Sequence, residues 1–176
     1  MILLIMRHGA AEDTGHGVPG QDVLRRLTKD GLRETSQVSK ALDALKLRPT
    51  VVLSSPLVRA VETAECAVKH LKRAPDPVMI KALAPGHSWK EVQRAINQRS
   101  GEDDVVLIVG HQPDMGGYIV SALGFKSDPG VEFPLDKSAC VALEWPGPIS
   151  TELPALLVAI TADSARRIVK GKKKRK

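Results

Sequence analysis

The sequence predicts an α/β fold, a three-layer α/β/α sandwich around a mostly parallel central sheet with at least one antiparallel strand. Three observations predict it. Short apolar runs, MILLIM (1–6), TVVL (50–53) and DVVLIVG (104–110), alternate with longer stretches that have one apolar face. Aromatic residues make up only 3% of the chain, so the core is built from Leu, Val, Ile and Ala, which suits parallel strands packed between helices. Two late runs, ACVALEW (139–145) and ALLVAIT (155–161), follow each other with no helix between them, which calls for an antiparallel neighbour. A chain of 176 residues is long enough to bury a core and is read as one domain, residues 1–165, with a basic tail, 166–176.

Each element has a local cause. MILLIM ends at Gly9 and reads as a buried strand. Residues 10–27 are polar and glycine-rich and read as a long loop. From Thr28, a plausible N-cap, TKDGLRETSQVSKALDALKL sets Leu32, Val38, Ala41, Leu42 and Leu45 on one apolar helix face. TVVL is the second strand. Ser55-Pro56 then reads as a cap followed by proline at the first helical position, with a helix to about Leu71. PVMI (77–80) is a short third strand, 88–98 a short helix, and 104–110 the clearest strand of all, followed by a helix from about Pro113 to Leu123. SARRIVK reads as a fraying last helix.

The net charge of +6 belongs to the tail. Residues 166–176, RRIVKGKKKRK, hold eight cations and no anion, and the remainder of the chain carries 18 basic and 20 acidic residues. Such a run can touch nucleic acid or an anionic surface, but no aromatic side chains are interleaved for base stacking, so a solvated end is the simpler reading. MILLIM is too short for a signal-peptide core or a membrane span, and the two cysteines, Cys66 and Cys140, read as reduced, packed thiols. The expected location is cytoplasmic, with no membrane partner.

In parallel sheets ligands bind beyond the carboxyl ends of the strands. Here those ends deliver Arg7-His8-Gly9, then Ser54-Ser55-Pro56 with Arg59 close behind, then Gly110-His111-Gln112-Pro113. Two arginines and two histidines thus converge from segments far apart in sequence. Arginine offers a rigid fork of donors for phosphate oxygens, and a neutral imidazole between cations is a nucleophile for phosphorus. Neighbouring arginines should lower its pKa and keep it unprotonated.

These segments, strand-RHG, LTKDG, SSPLVRAVETA and VGHQPDM, resemble the histidine phosphatase superfamily, which also contains the phosphoglycerate mutases. The resemblance covers residues 1–120 in the family's order. The compact length points to SixA-type phosphohistidine phosphatases, since only 51 residues separate Arg59 from His111 and leave little room for a lid subdomain. The resemblance implies His8 as the nucleophile, Arg7 and Arg59 as the phosphate clamp, His111 as a second phosphoryl ligand, and Gly9 as a point of close backbone approach. It implies no cofactor and no metal. The implied substrate is a phosphorylated protein histidine, on a phosphorelay or phosphotransfer protein, or a small phosphorylated molecule.

Many relatives protonate the leaving oxygen with a carboxylic acid after the third strand, yet the Leu83–Trp89 stretch here holds no carboxylate. A labile P–N bond, as in phosphohistidine, needs such an acid less. Alternatively Glu12, Asp13 or His87 supplies the proton. Other readings are weaker. A small-molecule phosphomonoesterase shares the chemistry, and a non-catalytic phosphate- or nucleic-acid-binding module would not need His8. A zinc site on His8 and His111 lacks any HExxH or CxxC and would face two arginines. GHGVPG (15–20) lacks the Walker pattern. His16 and His70 read as structural.

Overall fold

The computed structural model describes residues 1–13, 22–125, 131–150 and 152–173. The GHGVPG stretch, with His16, lies outside them. Six strands form one sheet: β1 (Ile2–Arg7), β2 (Val51–Ser54), β3 (Val78–Met79), β4 (Val105–Gly110), β5 (Cys140–Glu144) and β6 (Ala155–Ile160), in the order β3-β2-β4-β1-β5-β6. β1 to β4 run parallel, while β5 is antiparallel to both β1 and β6. The fold class is therefore the one the sequence predicts. Between β2 and β4 the chain forms only a helix, the short β3, a 3-10 turn and a second short helix, and no lid subdomain.

Alternation along the central strands sends side chains into two apolar layers. Leu4, Met6, Val52, Leu107 and Val109 meet α1 (Lys29–Ala44), α2 (Val58–Val68) and α5 (Ala162–Lys173). Leu3, Ile5, Leu53, Val106 and Ile108 meet α3 (Trp89–Asn97) and α4 (Asp114–Ala122). MILLIM has no polar position because both of its faces are covered. Each of its fully buried side chains contributes roughly 1.5–3 kcal/mol.

Several elements differ from expectation in instructive ways. Thr28 does cap α1, accepting the Gly31 N–H at 3.0 Å. The face that α1 buries, however, is Gly31, Thr35, Val38, Ser39, Ala41 and Leu42, and both Leu32 and Leu45 are exposed. The first turns of α1 press against the loop after β1, where small and hydroxylated residues fit and leucine does not. A Cβ on Gly31 would stand 2.2 Å from the Ala10 carbonyl oxygen. Ser55-Pro56 does not open α2. The helix starts at Val58, with Leu57 at the N-cap and no side-chain cap, while Ser55 Oγ accepts the Leu57 N–H at 3.4 Å and lies 2.8 Å from His111 Nε2. α3 carries a complete capping box between Ser88 and Glu91.

α5 continues to Lys173, beyond the boundary at residue 165 suggested by charge, with Ile168 and Val169 packed on the apolar layer beneath α1. Cys66 and Cys140 are both buried free thiols. Among the described residues, no helix is long and apolar enough to cross a membrane.

Candidate active site

Register brings the polar residues to one rim. Arg7 lies opposite Gly110 and Ser54 opposite Val109, so His8, Ser55 and His111 leave the sheet side by side. The backbone fixes them there. His8 N–H donates to the Gly110 carbonyl at 3.0 Å, and Ser55 N–H to the Val109 carbonyl at 2.9 Å. Because β5 is antiparallel, its amino end also reaches this rim. Met6 faces Cys140, and Ser138 N–H donates to the His8 carbonyl at 3.2 Å.

His8 Nδ1 lies 2.7 Å from the Gly9 carbonyl oxygen. A carbonyl only accepts, so this partner assigns the hydrogen to Nδ1 and leaves a lone pair on Nε2. Arg59 Nε donates to that Nε2 at 3.2 Å. The rings of His8 and His111 are 5.1 Å apart. His111 is 3% exposed, with Nε2 at 2.8 Å from Ser55 Oγ. Its Nδ1 and the Nε of Arg7 are buried without a hydrogen-bond partner.

The two arginines are held differently. Arg59, 6% exposed, donates Nη1 to the Asp22 carbonyl at 2.6 Å and Nη2 to Asp22 Oδ2 at 3.1 Å. Arg7 donates Nη1 to the Leu135 carbonyl at 2.8 Å, and a cleft of about 370 Å³ opens beside it between Gln112, Pro113, Phe133 and Asp136. Gln112 braces this cleft by donating Nε2 to the Phe133 carbonyl at 3.0 Å.

Gly9 belongs to the cluster for a packing reason. A Cβ there would stand 3.0 Å from both the Gly31 carbonyl oxygen and Thr35 Oγ1, and 3.2 Å from Ser138 Oγ. A side chain here would push these neighbours apart by a few tenths of an ångström, so glycine lets the chain leave β1 this close to α1.

The structure thus brings Arg7, His8, Gly9, Arg59 and His111 together. The three suggested proton donors have the following surroundings. Glu12 is exposed, its backbone tied to Arg25 and Arg26. Asp13 is exposed too. His87 faces Glu91 through Nδ1 at 3.3 Å, and its carbonyl accepts the Tyr118 hydroxyl at 2.8 Å. Sequence reading missed Asp22, which arrives from a loop with no motif. It also missed Leu135, Asp136 and Ser138, because attention to the carboxyl ends of parallel strands overlooks the amino end of an antiparallel one. Among the described residues, no three of His, Cys, Asp and Glu converge to hold a metal ion.

Burial sets the electrostatics more than the arginines do. The His8 pKa is lowered to about 4, first by desolvation and then by Arg59, Arg7 and Lys137, against the opposing Gly9 carbonyl. His111 falls to about 3, again mainly by burial, with Arg59 and His8 next and Asp22 opposing. Both rings are neutral at pH 7. The Asp22 carboxyl is held below its ordinary value, first by Arg25 and also by Arg59, so it is an anion.

A stability prediction follows. Below about pH 6.5 the unfolded chain protonates these histidines while the folded chain resists until about pH 4 and 3. Their contribution is complete above pH 6.5 and is lost progressively as pH falls toward 4. Each histidine costs on the order of 1 kcal/mol per pH unit in that window. His70, also lowered mainly by burial, acts in the same direction. Urea unfolding should show lower stability at pH 5 than at pH 7, with a smaller difference in His111→Asn. Equal stability at the two pH values would contradict the assignment of neutral, desolvated rings.

The superfamily profile for histidine phosphatases (branch 1) matches residues 3–83. An uncharacterised protein of Picosynechococcus sp. (strain ATCC 27264 / PCC 7002 / PR-6) is 35% identical over 117 residues, which is 66% of this chain and 69% of that protein. The chain belongs to the histidine phosphatase superfamily. This histidine phosphatase shares its fold with solved structures at lower identity. A protein histidine phosphatase SixA complexed with tungstate superposes with TM-score 0.76 at 23% identity, covering 93% of this chain and 99% of that one. A phosphoserine phosphatase from Entamoeba histolytica, in complex with 3-phosphoglyceric acid, gives TM-score 0.63 at 16% identity, covering 91% and 96%. The protein is a phosphatase of this superfamily, and its clustered arginines and histidines have the chemistry that phosphoryl transfer needs.

Proposed function

We propose that this histidine phosphatase hydrolyses phosphoryl groups from histidine side chains of partner proteins, through a phosphohistidine intermediate on His8. The observation that carries the reading is the His8 ring itself, with Nδ1–H committed to Gly9 and the Nε2 lone pair set beside Arg59. Arg7 and Arg59 grip the phosphoryl oxygens, and Arg59 exchanges its contact with Asp22 for the substrate. His111 and Arg7 each hold a buried, unpartnered nitrogen that a phosphoryl oxygen would engage if it donates.

In the first step His8 Nε2 attacks phosphorus as the substrate's P–N bond breaks. The departing ring leaves as neutral imidazole, its proton drawn from solvent. In the second, water attacks the phosphoryl group on His8, inorganic phosphate departs, and the imidazole is restored. Net, one water is consumed and its hydrogen ends on the substrate's ring.

Two features support a protein-borne phosphoramidate. The segment between β3 and α3 has no carboxylic acid to protonate an alkoxide. Among the described residues no lid subdomain covers the site, and the cleft beside Arg7 leaves room for a folded surface carrying the histidine. A general acid contributes roughly 10²–10⁴ to breaking a poor leaving group's bond. A phosphohistidine peptide should therefore exceed an alkyl phosphate in kcat/KM by about a hundredfold or more. Equal values would favour the second reading, a small-molecule phosphomonoesterase, which the fold shared with a phosphoserine phosphatase also supports.

A further inference from the structure

Four hydrogen bonds at the site close into a circuit. Arg59 Nε–H donates to His8 Nε2 at 3.2 Å, and His8 Nδ1–H to the Gly9 carbonyl at 2.7 Å. Gly9 N–H donates to Thr63 Oγ1 at 3.0 Å, and the Thr63 hydroxyl to the carbonyl of Arg59 at 2.6 Å. Every donor points the same way round. The direction is forced, because guanidinium and peptide N–H groups only donate and carbonyls only accept. The hydroxyl is the one member able to receive from Gly9 and give to Arg59 at once.

Thr63 is fully buried on α2, one turn beyond Arg59, where a hydroxyl can fold back to the carbonyl four residues earlier. It touches no reacting atom. The remaining members are the nucleophile, the glycine beside it and the clamp.

We propose that Thr63 is a positioning residue, which couples the strand bearing His8 to the helix bearing Arg59 and so holds His8 in the Nδ1–H form with Nε2 free for phosphorus. The proposal rests on the reading of His8 as nucleophile. Without the hydroxyl, the Gly9 N–H is buried and unpaired. Relief comes from turning Gly9, which takes its carbonyl away from Nδ1. Only the Arg59 donor at Nε2 then distinguishes the two ring nitrogens, and the Nε2–H form, with no lone pair toward phosphorus, rises in population. The nearby Thr35 hydroxyl is engaged with Ser138 Oγ at 3.1 Å.

Long-range proton–nitrogen NMR at pH 7 reads the His8 tautomer directly. The wild-type protein should be predominantly Nδ1–H, and Thr63→Val a mixture. In Thr63→Val, kcat on a phosphohistidine peptide should fall about tenfold or more while KM moves by less than about threefold. Thr63→Ser should restore both readings. If a thermal melt shows that Thr63→Val does not fold, Thr63→Ala takes its place with the same outcomes. A wild-type ring that is mainly Nε2–H overturns the proposal whatever the variants do. So does a folded, hydroxyl-free variant with wild-type tautomer and kcat. Trapping phosphate on residue 8 of the wild type separates the two ideas: no label there removes the nucleophile reading, whereas a label with an unaffected Thr63→Val removes only the circuit.

Discussion

Brief exposure of this histidine phosphatase to a phosphohistidine peptide, followed by mass spectrometry without acid, should leave a phosphoryl group on His8, and His8→Ala should lower turnover on the order of 10⁴-fold or more. The magnitude follows from what the substitution removes. In the proposed mechanism His8 Nε2 supplies the attacking electron pair and His111 Nδ1 is kept for a phosphoryl oxygen. The neighbouring His111 is tied to Ser55 through Nε2, and its ring centre is 5.1 Å from that of His8. The clamp survives the substitution, so phosphorylated ligand should still bind while turnover is lost. An alanine variant with near wild-type turnover would mean that water attacks phosphorus directly, and a label on another residue would move the nucleophile.

Arg59→Ala is expected to have the second largest effect. Arg59 is almost wholly buried and makes three side-chain hydrogen bonds, one to His8 and two to Asp22. In the proposed mechanism substrate replaces Asp22, and two charge-assisted bonds to phosphoryl oxygens, each roughly 1.5–3 kcal/mol, are at stake. Their loss predicts a fall in kcat/KM of about 10²–10⁴-fold. Arg59→Lys should recover little of it, because an ammonium cannot present the fork. Arg59→Ala also tests the electrostatics. Removing one cation should raise the His8 pKa above about 4, but only part of the way to 6.5, because desolvation is the larger cause. The acid limb of the pH–rate profile should shift upward accordingly. A profile that does not move would show that Arg59 leaves the charge state of His8 untouched.

Much of this was readable in the letters. MILLIM and DVVLIVG declare strands buried on both faces, since a strand with one wet face would alternate. Parallel neighbours then oblige Arg7-His8 and Gly110-His111 to emerge at one rim, whatever the intervening chain does. The α1 face was misread at Leu32 and Leu45 because apolar periodicity reports which residues prefer burial, not which fit against a tight loop. Ser55-Pro56 was misread as the start of α2, which begins at Val58, and the shorter contact of the Ser55 hydroxyl is to the His111 ring, fifty-six residues away.

The sequence by itself determined the α/β class, the rim and the residue types gathered there, because backbone alternation and strand direction are local properties. Only the tertiary structure decided which nitrogen of His8 bears hydrogen, that Asp22 holds Arg59, and that Thr63 joins the two. Those outcomes depend on donors and acceptors meeting within about 3 Å across packed elements, a distance that no spacing along the chain encodes.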